Sequence, residues 1–258
     1  MSRRRILAVG LAAVAAAAAT FLWLSWPRDD PVRVTVGDAV RSFREQDSRN
    51  AGLRAGSGPA PGVYRYATRG SESVATDFLS TTHSYDGVST ITVSAGGCGE
   101  VERWEVLEER WNEAESCPRS AAGERWTVTE FHEFFGIAQE DAYTCRGESM
   151  QRPPFAAPSA RFTSRCTSAD SSVLNTSRIR GIATVTVGGK KYEAVHTVSS
   201  SVVSGDTTGN ATSEDWRRRS DGLLLRRSVS SNALTSAGGG ARYSERYTIE
   251  LIDPRPRR

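Results

Sequence analysis

Lysine is nearly absent from this 258-residue chain: of its 33 basic residues only Lys190 and Lys191 are not arginine. That bias reads as GC-rich coding, not as an arginine-based recognition surface. Six arginines sit at the two ends (Arg3, Arg4, Arg5, Arg255, Arg257, Arg258), so the formal +3 of the whole becomes −3 for the stretch between them. A nucleic-acid footprint is thereby excluded. Histidine is as scarce. His83, His132 and His196 fall on separate segments without His-x-x-x-His or His-Glu-x-x-His spacing, and the four cysteines form no Cys-x-x-Cys or Cys/His pattern. No metal site is expected. Neither a Gly-x-Ser-x-Gly elbow nor a Ser-x-x-Lys motif occurs, and no motif calls for a cofactor. Glu108-Glu109, Glu113 and Glu115 lie close to Arg103 and Arg110, which suits surface charge pairs better than the opposed carboxylates of a glycosidase.

What is present begins with an apolar run of 21 residues, Ile6 to Trp26, behind Arg3-Arg4-Arg5 and ahead of Pro27-Arg28-Asp29-Asp30. As a helix rising 1.5 Å per residue it would cover about 31 Å, enough for the hydrocarbon core of a bilayer. The arginines hold its start in the cytoplasm, and Trp23 and Trp26 suit the outer headgroup level. Cleavage as a signal peptide after Ala17-Ala18-Ala19 would expose Thr20 to Trp26 as an apolar end, so an uncleaved anchor is the reading adopted. The expected location is the plasma membrane, single pass, with the C-terminal domain outside.

Oxidising conditions on that side favour disulfides. Cysteines facing each other across a hairpin share its midpoint. Cys98 and Cys117 are centred at Leu107-Glu108, between strand-like Val101–Val106 and Arg110–Ala114; Cys145 and Cys166 are centred in the proline-rich Arg152–Pro158. The pairings 98–117 and 145–166 follow from this placement, each closing a loop of about 20 residues worth ~3 kcal/mol.

Residues 1–5 form a basic tail, 6–26 the anchor, 27–49 a juxtamembrane segment, 50–62 a Gly/Pro linker, 63–253 the domain and 254–258 a second basic tail. Within 27–49, Val36, Ala39, Val40 and Phe43 recur at helical spacing behind the capping candidate Asp38, predicting a short amphipathic helix. It has three possible berths: the domain, the membrane surface or a partner. From Val63 onward the pattern has period two. Strands are predicted at Val63–Thr68, Ser73–Thr82, Val88–Val93, the two arms around Leu107, Trp126–His132, Asp141–Cys145, Phe162–Thr167, Ile179–Val187, Lys191–Val198, Ala211–Arg218, Leu223–Val229 and Tyr243–Ile252. Short Gly/Asp turns join them, so the fold class is mainly β, a curved antiparallel sheet or open half-barrel.

Phe134-Phe135-Gly136 before Tyr143-Thr144-Cys145, Ser204-Gly205-Asp206 with Asp215-Trp216, and Asp221-Gly222-Leu223 through Arg226 with Tyr243-Ser244-Glu245 resemble an uncharacterised family of membrane-anchored extracytoplasmic proteins of GC-rich bacteria. At fold level the order of strands from Ile179 onward is similar to half-barrel lipoprotein carriers, which hold acyl chains on a concave face. The curved sheet and the anchor together lead to the expectation of noncovalent binding of a lipid or other apolar envelope ligand, and the lack of a catalytic motif to that of a non-enzymatic role.

Candidate ligand contacts are His196, sharing a strand with Tyr192, and an arginine cluster, Trp216, Arg217, Arg219 and Arg226, gathered if Asp221-Gly222 forms a hairpin. Guanidinium groups so placed suit phosphate or an anionic polymer; alternatively they cover an outer face with Asp215 and Asp221 as partners. A scaffold domain recruiting envelope proteins is the second expectation. The third is a hydrolase using His132 or His196.

Overall fold

A computed structural model describes residues 31–49, 58–117, 124–147, 155, 157–235 and 240–258. The membrane run Ile6–Trp26 and most of the 50–62 linker lie outside these residues. No helix among those described is long and apolar enough to cross a membrane.

One helix, α1 (Val36–Arg49), precedes thirteen strands. Its amino terminus is capped one turn earlier than Asp38 suggests: the Asp38 amide donates to the Thr35 hydroxyl at 3.2 Å, and that hydroxyl meets the Asp38 carboxylate in return. This is the reciprocal arrangement of a capping box. Of the three berths, α1 takes the domain. Ala39 and Phe43 are buried against the outer face at Val63, with Val40 beside them.

The strands are β1 (Gly62–Ala75), β2 (Ser80–Ser84), β3 (Gly87–Ala95), β4 (Glu100–Leu107), β5 (Arg110–Ser116), β6 (Glu124–Phe134), β7 (Ile137–Gly147), β8 (Arg161–Thr167), β9 (Ser171–Val187), β10 (Lys190–Gly205), β11 (Thr207–Arg218), β12 (Leu224–Thr235) and β13 (Arg242–Leu251). The expected alternation is confirmed, with boundaries moved. Ser73–Thr82 is not one strand, because the chain turns at Thr76–Leu79. Gly205 to Asn210 is not a loop: β10 and β11 run on until Asp206 alone joins them.

All pairing is antiparallel and, apart from β1 with β3 and β1 with β13, between neighbours in the chain. β2 and β3 pair with β1 in one continuous register, Ser71↔Ser84 and then Thr68↔Gly87, so they act as a single strand broken at Tyr85-Asp86. Gly70 faces that break. A β-carbon there would come within 2.1 Å of the Arg246 carbonyl oxygen, at a φ of +139°, so only glycine lets β1 pass β13 this closely.

The open half-barrel is corrected by the last pairing. β13 bonds to β1 from Tyr66↔Leu251 to Ala75↔Arg242, closing a twelve-stranded antiparallel barrel. Closure leaves no free edge along the wall. Twelve strands enclose more space than the eight that side chains can fill, and the filling here is uneven. One end is packed by Tyr64, Tyr66, Ile91, Trp104, Tyr247, Ile249, Leu251 and Leu224, all buried. The tyrosine hydroxyl of Tyr66 donates to the Leu224 carbonyl at 2.7 Å, and the Trp104 indole donates to Ser89 at 3.0 Å. Both disulfides match the expected pairing: 98–117 ties the ends of the β4–β5 hairpin, and 145–166 links opposed residues of β7 and β8.

Candidate functional site

Alternation decides which side chains enter the barrel. On β1 the even positions from Tyr64 to Glu72 are turned inward, and on β13 the odd ones from Tyr243 to Leu251. Three sets of charged groups then meet across the interior. Arg217 of β11 reaches β4, donating from both terminal nitrogens to Glu102 at 2.9 Å, and also to the Gly222 carbonyl at 3.0 Å. Beside it Arg227 of β12 holds Asp215 of β11 at 2.8 Å and 2.6 Å. Arg110 of β5 reaches β13, donating to the two oxygens of Glu245 at 3.0 Å and 3.3 Å, where the Tyr85 hydroxyl also donates at 2.8 Å.

The third set centres on Glu72, whose side chain is fully buried. His83 of β2 contacts one oxygen through Nδ1 at 3.1 Å; His132 of β6 contacts the other through Nδ1 at 2.9 Å, and the Tyr243 hydroxyl donates to that oxygen at 3.1 Å. Burial pushes this carboxyl up, but the hydrogen bonds from His132 and His83, with the charges of His132 and Arg110, outweigh it and hold the group at about 2. Glu72 is therefore ionised and can only accept, which fixes Nδ1 of both rings as donors. The ring of Phe134 stacks on His83 at 4.6 Å, sealing that histidine in. His132 keeps 16% of its side chain exposed. Burial raises the hydroxyls of Tyr85 and Tyr243 well above the ordinary tyrosine value, with Glu245 adding to the effect, so both remain donors.

Farther round the wall the inner positions are small. Asn175 and Ser177 of β9, Ser199 and Ser201 of β10, Ala211 and Ser213 of β11, and Ser231 and Ala233 of β12 alternate with exposed outer residues, yet each remains partly exposed itself. Their hydrogen bonds run to immediate neighbours, Ser177 to Ser199 at 2.8 Å and Ser201 to Asn175 at 2.5 Å. A cleft of about 490 Å³ lies on the outer side of the wall at this end, lined mainly by the outward residues Ser73, Asn210, Asn232, Leu234, Arg242 and Ser244, so it is not an entrance to the interior. A second cleft of about 490 Å³ lies outside the barrel, between α1 and the C-terminal tail.

The candidate contacts read from the sequence do not converge. His196, Trp216 and Arg226 are successive partners across β10, β11 and β12, with Glu250 of β13 continuing the row. His196 stacks on Trp216 at 4.4 Å and contacts Glu214 at 2.9 Å; the Arg226 guanidinium lies 5.0 Å from the same indole and 3.5 Å from Glu250. Arg217 turns into the barrel, Arg219 pairs with Glu193 at 3.2 Å, and Tyr192 packs on the core with Arg218 over its ring at 5.7 Å. Every arginine of the expected cluster has a carboxylate partner. A bulge between Trp216 and Arg217 accompanies this division. The Glu72, His83 and His132 group is not visible in local spacing. The one accessible signal is the turn at Thr76–Leu79, which sets Glu72 opposite His83.

No family model, curated protein or solved structure matches the chain.

Proposed function

We propose that the barrel is a noncovalent receptor for a compact polar molecule, carried on the outer side of the plasma membrane by the Ile6–Trp26 anchor. The observation that supports it best is the inner wall of β9 to β12, where small side chains stay partly exposed although they point into a closed barrel. Such a wall leaves room that water fills, and specific pockets combine such room with a few convergent polar groups. Tyr243, Glu72 and His132 supply those groups at the margin of the space, with the second ring nitrogen of His132 available toward a ligand. A serine- and alanine-lined wall suits a small hydrophilic ligand better than the acyl chain that the half-barrel resemblance implies.

Binding is favoured over hydrolysis on one further ground. Among the described residues no serine or threonine hydroxyl is hydrogen-bonded to His132, so the Glu72–His132 pair lacks the arrangement of a hydroxyl nucleophile with its base.

Native mass spectrometry of the full chain, purified in mild detergent from its own cells, tests the reading. The expected result is a co-purifying small molecule, released on unfolding and lost from the Ser199→Trp, Ser231→Trp double variant. A barrel that is always empty, including after incubation with a polar extract of the same cells, would sink it.

A further inference from the structure

The outer cleft between α1 and the C-terminal tail has a different chemistry from the barrel interior. It is lined by Val36, Gly37, Val40, Arg44, Arg257 and Arg258. Val36, Val40 and Arg44 are spaced four apart and so form one stripe of the helix. The tail is fixed beside that stripe: Val63 and Arg257 exchange backbone hydrogen bonds at 2.9 Å, Arg44 donates to a main-chain oxygen of Arg258 at 2.8 Å, and Arg258 donates from Nε to the Pro61 carbonyl at 3.1 Å. Three guanidinium groups therefore surround a valine floor without a carboxylate side chain in the lining. The arginines of the β11–β12 hairpin, by contrast, each meet an acid, and Arg41 on the same helix meets Asp38 at 3.1 Å.

From this contrast we infer that the cleft binds the phosphodiester headgroup of an anionic phospholipid in the membrane that anchors the chain. Guanidinium groups bind phosphate oxygens through paired hydrogen bonds, and the half-buried Val36 and Val40 leave apolar surface for the glycerol and first methylenes. Tether length supports lipid as the source of the phosphate. Four residues, Pro27 to Asp30, separate the end of the apolar run from Pro31, a reach of about 14 Å at most. Immediately beyond, the Val32 amide meets the Glu109 carboxylate at 2.9 Å, its carbonyl accepts from the Glu108 amide at 2.8 Å, and α1 starts at Val36. The flank of the barrel that carries α1 is thus held beside the bilayer. Attraction between basic groups and an anionic leaflet acts over about a Debye length, which this tether permits.

The inference rests on the anchor but not on a ligand inside the barrel. Its test uses the full chain in nanodiscs that contain a photoactivatable phosphatidylglycerol, with the labelled peptides identified by mass spectrometry. Labelling of α1 or of the 253–258 tail is expected, falling at least fivefold in the Arg44→Gln, Arg257→Gln, Arg258→Gln variant and in 0.5 M salt. Equal labelling of that variant, or equal labelling by photoactivatable phosphatidylcholine, overturns the proposal. So does protection by millimolar inorganic phosphate with unchanged labelling in its absence by either lipid, which would assign the cleft to a free anion. A chain that fails to co-migrate with nanodiscs removes the anchor and the proposal together; one that co-migrates but is labelled only within residues 6–26 removes the proposal alone. Thermal melting of the variant, expected to match the parent because these side chains lie on the surface, separates lost lipid contact from lost fold.

Discussion

Where β4 to β6 face β11 to β13 and β1, side chains cross the barrel: Glu102 meets Arg217, Arg110 meets Glu245, and His132 meets Glu72. From β8 to β10, and along β11 before Asp215 and β12 beyond Arg227, the described residues make no such crossing, and their inner-face hydrogen bonds link adjacent strands. The two regions share one wall and one hydrogen-bonding pattern, so the difference comes from side-chain size and charge alone. Long acidic and basic groups draw opposite walls together and exclude water, which commits that region to holding the fold. Serine, alanine and glycine cannot reach across, which leaves the other region with capacity. Stability and binding are thereby assigned to different arcs of a single barrel, and each can be perturbed without the other.

The largest effect is expected from removing one member of a crossing pair. Arg217→Ala removes the guanidinium that meets both oxygens of Glu102, and breaking a buried pair in this way costs about 3–5 kcal/mol. Chemical denaturation of the variant should show the loss as a lower midpoint; a change below about 1 kcal/mol would mean that the walls are held by the aromatic end instead. Replacing the pair together, Glu102→Leu with Arg217→Met, should restore most of the difference, because no charge is then left without a partner.

Acid should act on the same region. The Glu72 carboxyl is lowered from 4.5 to about 2 in the fold, so the folded state binds fewer protons than the unfolded chain between those values. Its contribution is complete above about pH 4.5 and is lost as pH falls toward 2, with a total on the order of 3 kcal/mol. Asp215, for which burial is outweighed by the charge and hydrogen bond of Arg227 together with the charge of Arg217, is also held low and acts in the same direction. Urea midpoints collected from pH 5 to pH 2 should fall for the parent and fall less steeply for Glu72→Gln. Parallel curves would place the acid sensitivity elsewhere.

The covalent tie in the other arc comes next. Cys145 and Cys166 are opposed on β7 and β8 and buried beside Trp126. Closing a loop of this length stabilises by ~3 kcal/mol through the unfolded chain, a value that the retained packing of two serines would offset only slightly. Cys145→Ser with Cys166→Ser should therefore lower the denaturation midpoint while leaving the pH slope untouched, because Glu72 lies in the crossing region. A changed slope would show that the two arcs are coupled.

These regions were unequally legible in the sequence. The hairpins and both disulfides followed from midpoints, because pairing between neighbours is a local property of turn placement. Closure was not accessible, since it pairs Tyr66 with Leu251 across nearly the whole domain and no turn specifies it. The crossing pairs depend on closure and were hidden with it. Arg217 illustrates the limit: adjacent to Trp216 in the chain, it reads as part of a surface cluster, yet strand alternation and the bulge turn it inward to Glu102. His132 likewise gives no local sign of its partner, because Glu72 is brought to it only by the barrel.

The smallest expected effect is the most discriminating test of the capacious arc. Ser213 and Ser231 point inward at positions that stay partly exposed, so a hydroxyl there trades hydrogen bonds with water in both the folded and unfolded states. Deleting it should change stability by no more than about 0.5 kcal/mol, as for a surface site. The same deletion at Ser199, which bonds to Ser177 at 2.8 Å, should cost nearer 1 kcal/mol. Denaturation midpoints of Ser213→Ala, Ser231→Ala and Ser199→Ala measure this directly. If the first two lose as much as the third, the arc is dry and packed, and the division of the barrel into a holding side and a receiving side fails.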